Sequence, residues 1–140
     1  MESSELINAV KLIEDYYKTD TVNGIYDIIG AFRNALLKDE DIYVLTETLN
    51  RNGKKYSVFL LLDDGQVHSL FPLLTGVDEM MAVKNRFESS REINTGIMKL
   101  KYVIKLISEK NICDGVIVNP AGRSFTAPVS FYTDILREIL

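Results

Sequence analysis

Apolar residues at Leu6, Ile7, Val10, Ile13 and Tyr17 keep the three-and-four spacing of a helical stripe. They predict a helix over about 3–18, with Ser3 or Ser4 as its N-cap. Residues 19–23 are polar and β-branched, and Asn23-Gly24 predicts a break. A second helix over 25–38 buries Ile25, Ile28, Ile29, Phe32, Leu36 and Leu37, and the charged run 38–41 ends it. From Ile42 the period changes. Residues 42–46 are β-branched and aromatic, a strand signature, and Asn52-Gly53 in 50–54 predicts a hairpin turn. The strand 56–62 is apolar on both faces at its end and is expected to be central and covered. Asp63-Asp64-Gly65 predicts a second tight turn into a strand over 66–73, which makes a three-stranded meander.

Asp78 is the expected cap of a helix running to about Phe87, with Met80, Met81, Val83 and Phe87 inward. Residues 92–95 read as a short strand. A helix over 98–110 carries the stripe Leu100, Val103, Ile104 and Ile107. Residues 112–119 form the next strand, Pro120 stops it, and 124–126 add a short one. Pro128 opens a final helix to Leu140 with Phe131, Ile135, Leu136 and Ile139 apolar. These elements define an α+β domain: a mixed, mainly antiparallel sheet of about five strands with four to five flanking helices. The expected organisation is an N-terminal helix and linker over 1–22 and one globular unit over 23–140.

Composition narrows the function. The 140 residues are 46% hydrophobic and 26% charged, which suits one globular domain. The net charge is −4, so the basic footprint expected of a nucleic-acid binder is missing. The charge is uneven. Residues 1–47 hold four basic and ten acidic side chains, 48–112 ten and seven, and 113–140 two and three. A single cysteine, Cys113, excludes an internal disulfide and points to a reducing, cytoplasmic setting. The start, Met-Glu-Ser-Ser-Glu, lacks a secretory signal's basic and apolar regions. The longest uninterrupted run of aliphatic and aromatic residues, 58–62, is far too short to span a bilayer.

The candidate chemistry is thin. His68 is the only histidine and cannot by itself build a metal site. Cys113 has no flanking cation to activate it and reads as an inert thiol, which leaves a Cys113–His68 dyad as a remote alternative. The carboxylate pairs at 14–15, 39–41 and 63–64 sit at helix ends and turns, where acids are solvated. No Gly-rich phosphate loop occurs and no cofactor is called for. The best candidate ligand loop is the turn Asn119-Pro120-Ala121-Gly122-Arg123-Ser124 after an apolar strand, where α/β proteins place ligands. There Arg123 and Ser124 could hold an anion. Pro, Gly and Asn serve a tight turn equally well.

The stretch Cys113-Asp-Gly-Val-Ile-Val-Asn-Pro-Ala-Gly-Arg-Ser-Phe-Thr-Ala-Pro128 resembles the signature of the SseB protein N-terminal-domain family, an apolar strand ending in Asn-Pro-Gly-Gly. Residues 70–80 and 42–46 resemble two weaker blocks of that family. The resemblance covers about 25–140. It implies a mixed sheet with flanking helices and a candidate surface at Asn119, Pro120, Gly122 and Phe125. It implies no catalytic residue, since the family takes its name from a serine-sensitivity phenotype. Ala121 stands where the family has the first glycine, and the helix over 3–18 is an addition.

The leading expectation is therefore a non-enzymatic binding or regulatory module for an unidentified protein or small molecule, engaging neither nucleic acid nor membrane. One alternative is a small-molecule or anion site, with or without catalysis, at 119–124. Another is an interaction or homo-oligomerisation domain acting through the N-terminal helix. There the adjacent Tyr16 and Tyr17 cannot both face the core.

Overall fold

A computed structural model describes residues 4–19, 22–63, 65, 68–122 and 124–140. The described residues form an α+β fold of five helices and two sheets. The first sheet contains β1 (Asp41–Arg51), β2 (Lys54–Phe59) and β5 (Ile93–Lys99), with β1 central and both pairings antiparallel. The second runs β3 (Leu62–Asp63), β4 (Ser69–Leu73), β6 (Gly115–Val118), β7 (Phe125–Pro128). Its β4–β6 pair is parallel. A parallel pair needs a long crossover. Here that connection carries α3 (Val77–Phe87), β5 and α4 (Leu100–Glu109). A bridge between Tyr43 and Leu74 joins the sheets.

The larger core lies between the second sheet and α1 (Ser4–Thr19), α2 (Val22–Leu37), α4 and α5 (Val129–Ile139). Most of the predicted stripe residues land there, but Tyr17 and Leu37, at the last turns of α1 and α2, are exposed. Leu6, Ile13, Ile28, Phe32, Leu36 and all four residues of the α4 stripe are buried. Phe32 is its aromatic centre, with the rings of Phe125, Phe131 and Tyr132 at 6.4, 6.3 and 5.2 Å. A smaller core lies beneath α3, with Tyr43, Leu45, Leu60, Leu74, Met80, Val83 and Ile93. Alternation along β1 divides its side chains between the two: Ile42 and Val44 face the first core, Tyr43 and Leu45 the second.

Four local expectations change. The strand over 56–62 is not continuous, and of its residues only Leu60 is fully covered. Its first four residues lie in the edge strand β2, only its last residue, Leu62, pairs with β4 in the other sheet, and the central strand is β1. The meander is interrupted at Leu60–Leu61 for that reason. Gly24 does not break the chain but lies inside α2, where a Cβ would come 2.8 Å from Tyr16 Cδ2. The missing side chain lets α1 and α2 approach closely. Asp78 is not a cap, because Gly76 holds that position and Asp78 and Glu79 fill the first turn, favourable to the helix dipole. Met81 points outward.

The N-terminal helix is bound into the domain. The Glu40 carboxylate accepts hydrogen bonds from the backbone N–H of Glu5 at 3.0 and 3.1 Å and of Leu6 at 3.1 Å. These donors have no partner within their own helix. Lys38 pairs with Glu5 beside them. Glu40 is presented by the αL turn that ends α2, with Asp39 at φ 51° and the Glu40 N–H donating to Ala35 O.

Candidate functional site

The turn at 119–124 follows the C-terminal end of β6, next to the end of the parallel strand β4. Ligand loops often occupy such a crevice. Here side chains bridge it. Asn119 is buried at φ 47°. Its Nδ2 donates to Thr75 Oγ1 at 2.9 Å, and its Oδ1 accepts from the Thr75 N–H at 3.2 Å. Its own N–H donates to Leu73 O, and its carbonyl accepts from the Gly122 N–H, both at 3.0 Å. Phe125 is core, against Phe32 and Phe131. Gly122 is exposed and Ser124 half-buried. Arg123 lies outside the described residues. Pro120 lines a shallow depression of about 470 Å³ on the outer face of the second sheet, with Leu62, Leu70, Arg86, Phe87 and Ile117. The structure thus brings Asn119 to Thr75, Phe125 to the aromatic cluster and Pro120 to an open face, not to one shared pocket.

The remaining candidates do not converge. His68 is exposed, whereas Cys113 is buried. Burial pushes the Cys113 thiol from 9.0 up to about 11, although backbone N–H groups of Phe71 and Gly115 pull it down. At neutral pH it is a protonated core side chain, not a nucleophile. Asp63 accepts from the Gly65 N–H at 2.9 Å, a local turn bond, and Asp41 pairs with Lys99 at 3.1 Å. Asp64 lies outside the described residues. Among the described residues no group of three or more His, Cys, Asp or Glu could hold a metal ion.

The thiol gives a measurable pH dependence. Unfolded, Cys113 ionises near its ordinary value; folded, it keeps its proton to about 11. Between those values the unfolded state binds fewer protons, so stability falls as pH rises. Urea midpoints across that window should fall more steeply for the native chain than for Cys113→Ala. Parallel curves would contradict the burial of the thiol.

A different apolar surface lies on the outer half of the β1–β2 hairpin. Tyr43, Leu45, Glu47, Leu49 and Arg51 share one face of β1, opposite Leu60, Val58, Tyr56 and Lys54. The helix α3 covers the Tyr43 end of this face. It stops at Phe87, and beyond it Arg91 pairs with Glu47 at 3.3 Å and stacks over the Phe87 ring at 5.2 Å. Past that boundary the face is bare, with Tyr56 49% and Val58 40% exposed. The result is an open trough of about 520 Å³ lined by Leu49, Arg51, Asn52, Lys54, Tyr56 and Val58. The type I′ turn that projects it, with Asn52 at φ 53° and Gly53 at φ 78°, is the one the sequence predicts. The trough was missed because the apolar run 58–62 reads as a covered strand. The signal against that reading was Lys54-Lys55 at its start, since edge strands carry lysine.

No protein-family model matches this chain, and no curated protein matches it significantly. Among the described residues no helix is long and apolar enough to cross a membrane.

Proposed function

We propose that the chain is a non-enzymatic binding module that docks another protein on the outer half of the β1–β2 hairpin. The observation that carries this reading is the bare trough. Tyr56 and Val58 stay exposed on a two-stranded arm although the face they share is packed farther along. Exposed apolar positions grouped inside a polar rim mark an interaction surface. The scattered His68, Cys113 and carboxylates support the non-enzymatic half of the reading. The resemblance to SseB N-terminal domains, carried by the strand and Asn-Pro of 113–128, belongs to the same proposal, as does a cytoplasmic setting, which a lone buried thiol suits.

The two other expectations have less support. Asn119 spends its side chain on Thr75, and no pocket among the described residues joins it to the rest of the turn. The inner stripe of α1 is spent on its own domain, although Tyr17 remains exposed. The test is a selection of displayed random peptides against the full chain. Binders should shift the amides of 47–59 in NMR spectra and lose at least about tenfold in affinity to Val58→Glu at unchanged melting temperature. Binders that map elsewhere, or that ignore Val58→Glu, would refute the reading.

A further inference from the structure

We infer that the occupant of this surface is an extended acidic segment of a partner protein that adds a strand beside β2; this rests on the hairpin being the docking surface. The first ground is the backbone. The Leu60 N–H donates to Leu45 O, which makes that pair a hydrogen-bonded one. Such pairs alternate along an antiparallel ladder, so Val58, Tyr56 and Lys54 also point their backbone groups toward β1. The N–H and C=O of Lys55, Ser57 and Phe59 therefore point away, along an edge with no neighbouring strand among the described residues. An extended peptide is the ligand that satisfies such a row.

The second ground is charge. Arg51, Lys54 and Lys55 form no ion pair among the described residues, and no acidic residue occurs in 48–62. Arg51 and Lys54 stand on the trough face and Lys55 on the opposite one. A strand beside β2 would thus meet cations on both faces at its Lys54–Lys55 end and apolar Tyr56 and Val58 farther on. The matching segment has two adjacent acidic residues and then apolar residues at alternate positions. The other free edge, β5, has no such set, because Lys99 is held by Asp41 and Arg91 by Glu47. A second copy of this chain fits poorly, since its own hairpin would bring the same three cations, and the two carboxylates of that hairpin, Asp41 and Glu47, are already paired with Lys99 and Arg91.

The experiment titrates the full chain with a capped peptide, Thr-Asp-Asp-Val-Thr-Val-Thr, and its reversed sequence, alongside forms carrying Asn or Lys in place of both Asp. At least one acidic form should protect the Lys55, Ser57 and Phe59 amides from exchange. It should bind about tenfold tighter than its Asn form and weaken between about 50 and about 300 mM salt. Lys54→Glu with Lys55→Glu should abolish that binding and admit the Lys form. Equal binding of the Asn form at this edge overturns the acidic inference and leaves the docking reading intact. Edge protection that grows with protein concentration alone, together with a doubled sedimentation mass, assigns the edge to a second copy and overturns the inference. No protection by any peptide overturns strand addition, and the selected binders then decide the docking reading separately.

Discussion

Replacing Phe32 by alanine is expected to lower stability by about 3–5 kcal/mol, the usual range for deleting a buried phenyl ring. Folded domains hold only about 5–15 kcal/mol in total, so this one change consumes a large share. Phe32 is fully buried at the meeting point of α2, β7 and α5. It touches Phe125 face to face and Phe131 and Tyr132 edge on. Both β7 and α5 thus lose their ring partner on α2, about 90 residues earlier in the chain, and the rings cannot close the void without leaving their own contacts. Thermal and urea unfolding measure it, and Phe32→Leu should retain much of the loss. A cost for alanine below about 1.5 kcal/mol would mean that the cluster collapses freely and is not the centre of the core.

Asn119→Ala is expected to cost about 2–4 kcal/mol, through two separable causes. It removes both side-chain bonds to Thr75 and strands a buried N–H and hydroxyl there. It also puts a Cβ-bearing residue without a polar side chain at φ 47°, a conformation asparagine tolerates better than alanine. Asn119→Gly relieves only the second cause and should recover about 1 kcal/mol. Urea unfolding gives the totals, and faster exchange of the Thr75 amide in both variants reports the lost bond. Equal stability of the glycine and alanine variants would remove backbone strain from the account. An unchanged Thr75 amide would remove the bridge.

Much of the fold is legible in the residues. The stripes of α1, α2, α4 and α5 appear as helical periods because each helix buries one side against a common core. The β1–β2 hairpin is announced by Asn52-Gly53, whose positive φ values need those residue types. What escapes is set at a distance. The run 58–62 changes sheets at Leu60–Leu61, and apolarity cannot say which sheet a strand joins. Asn119 reads as a ligand-loop residue because its partner Thr75 is 44 positions away. The trough escapes for the opposite reason: an exposed Tyr56 looks like a core residue until the end of α3 is known.

The carboxylate that closes the start of α1 comes from Glu40, 35 residues later. During synthesis the 16 residues of α1 must therefore wait for that side chain to emerge from the ribosome. A lone helix of that length is only marginally stable in water. The helix α1 thus docks only after a segment made later, so it is completed with the domain rather than ahead of it.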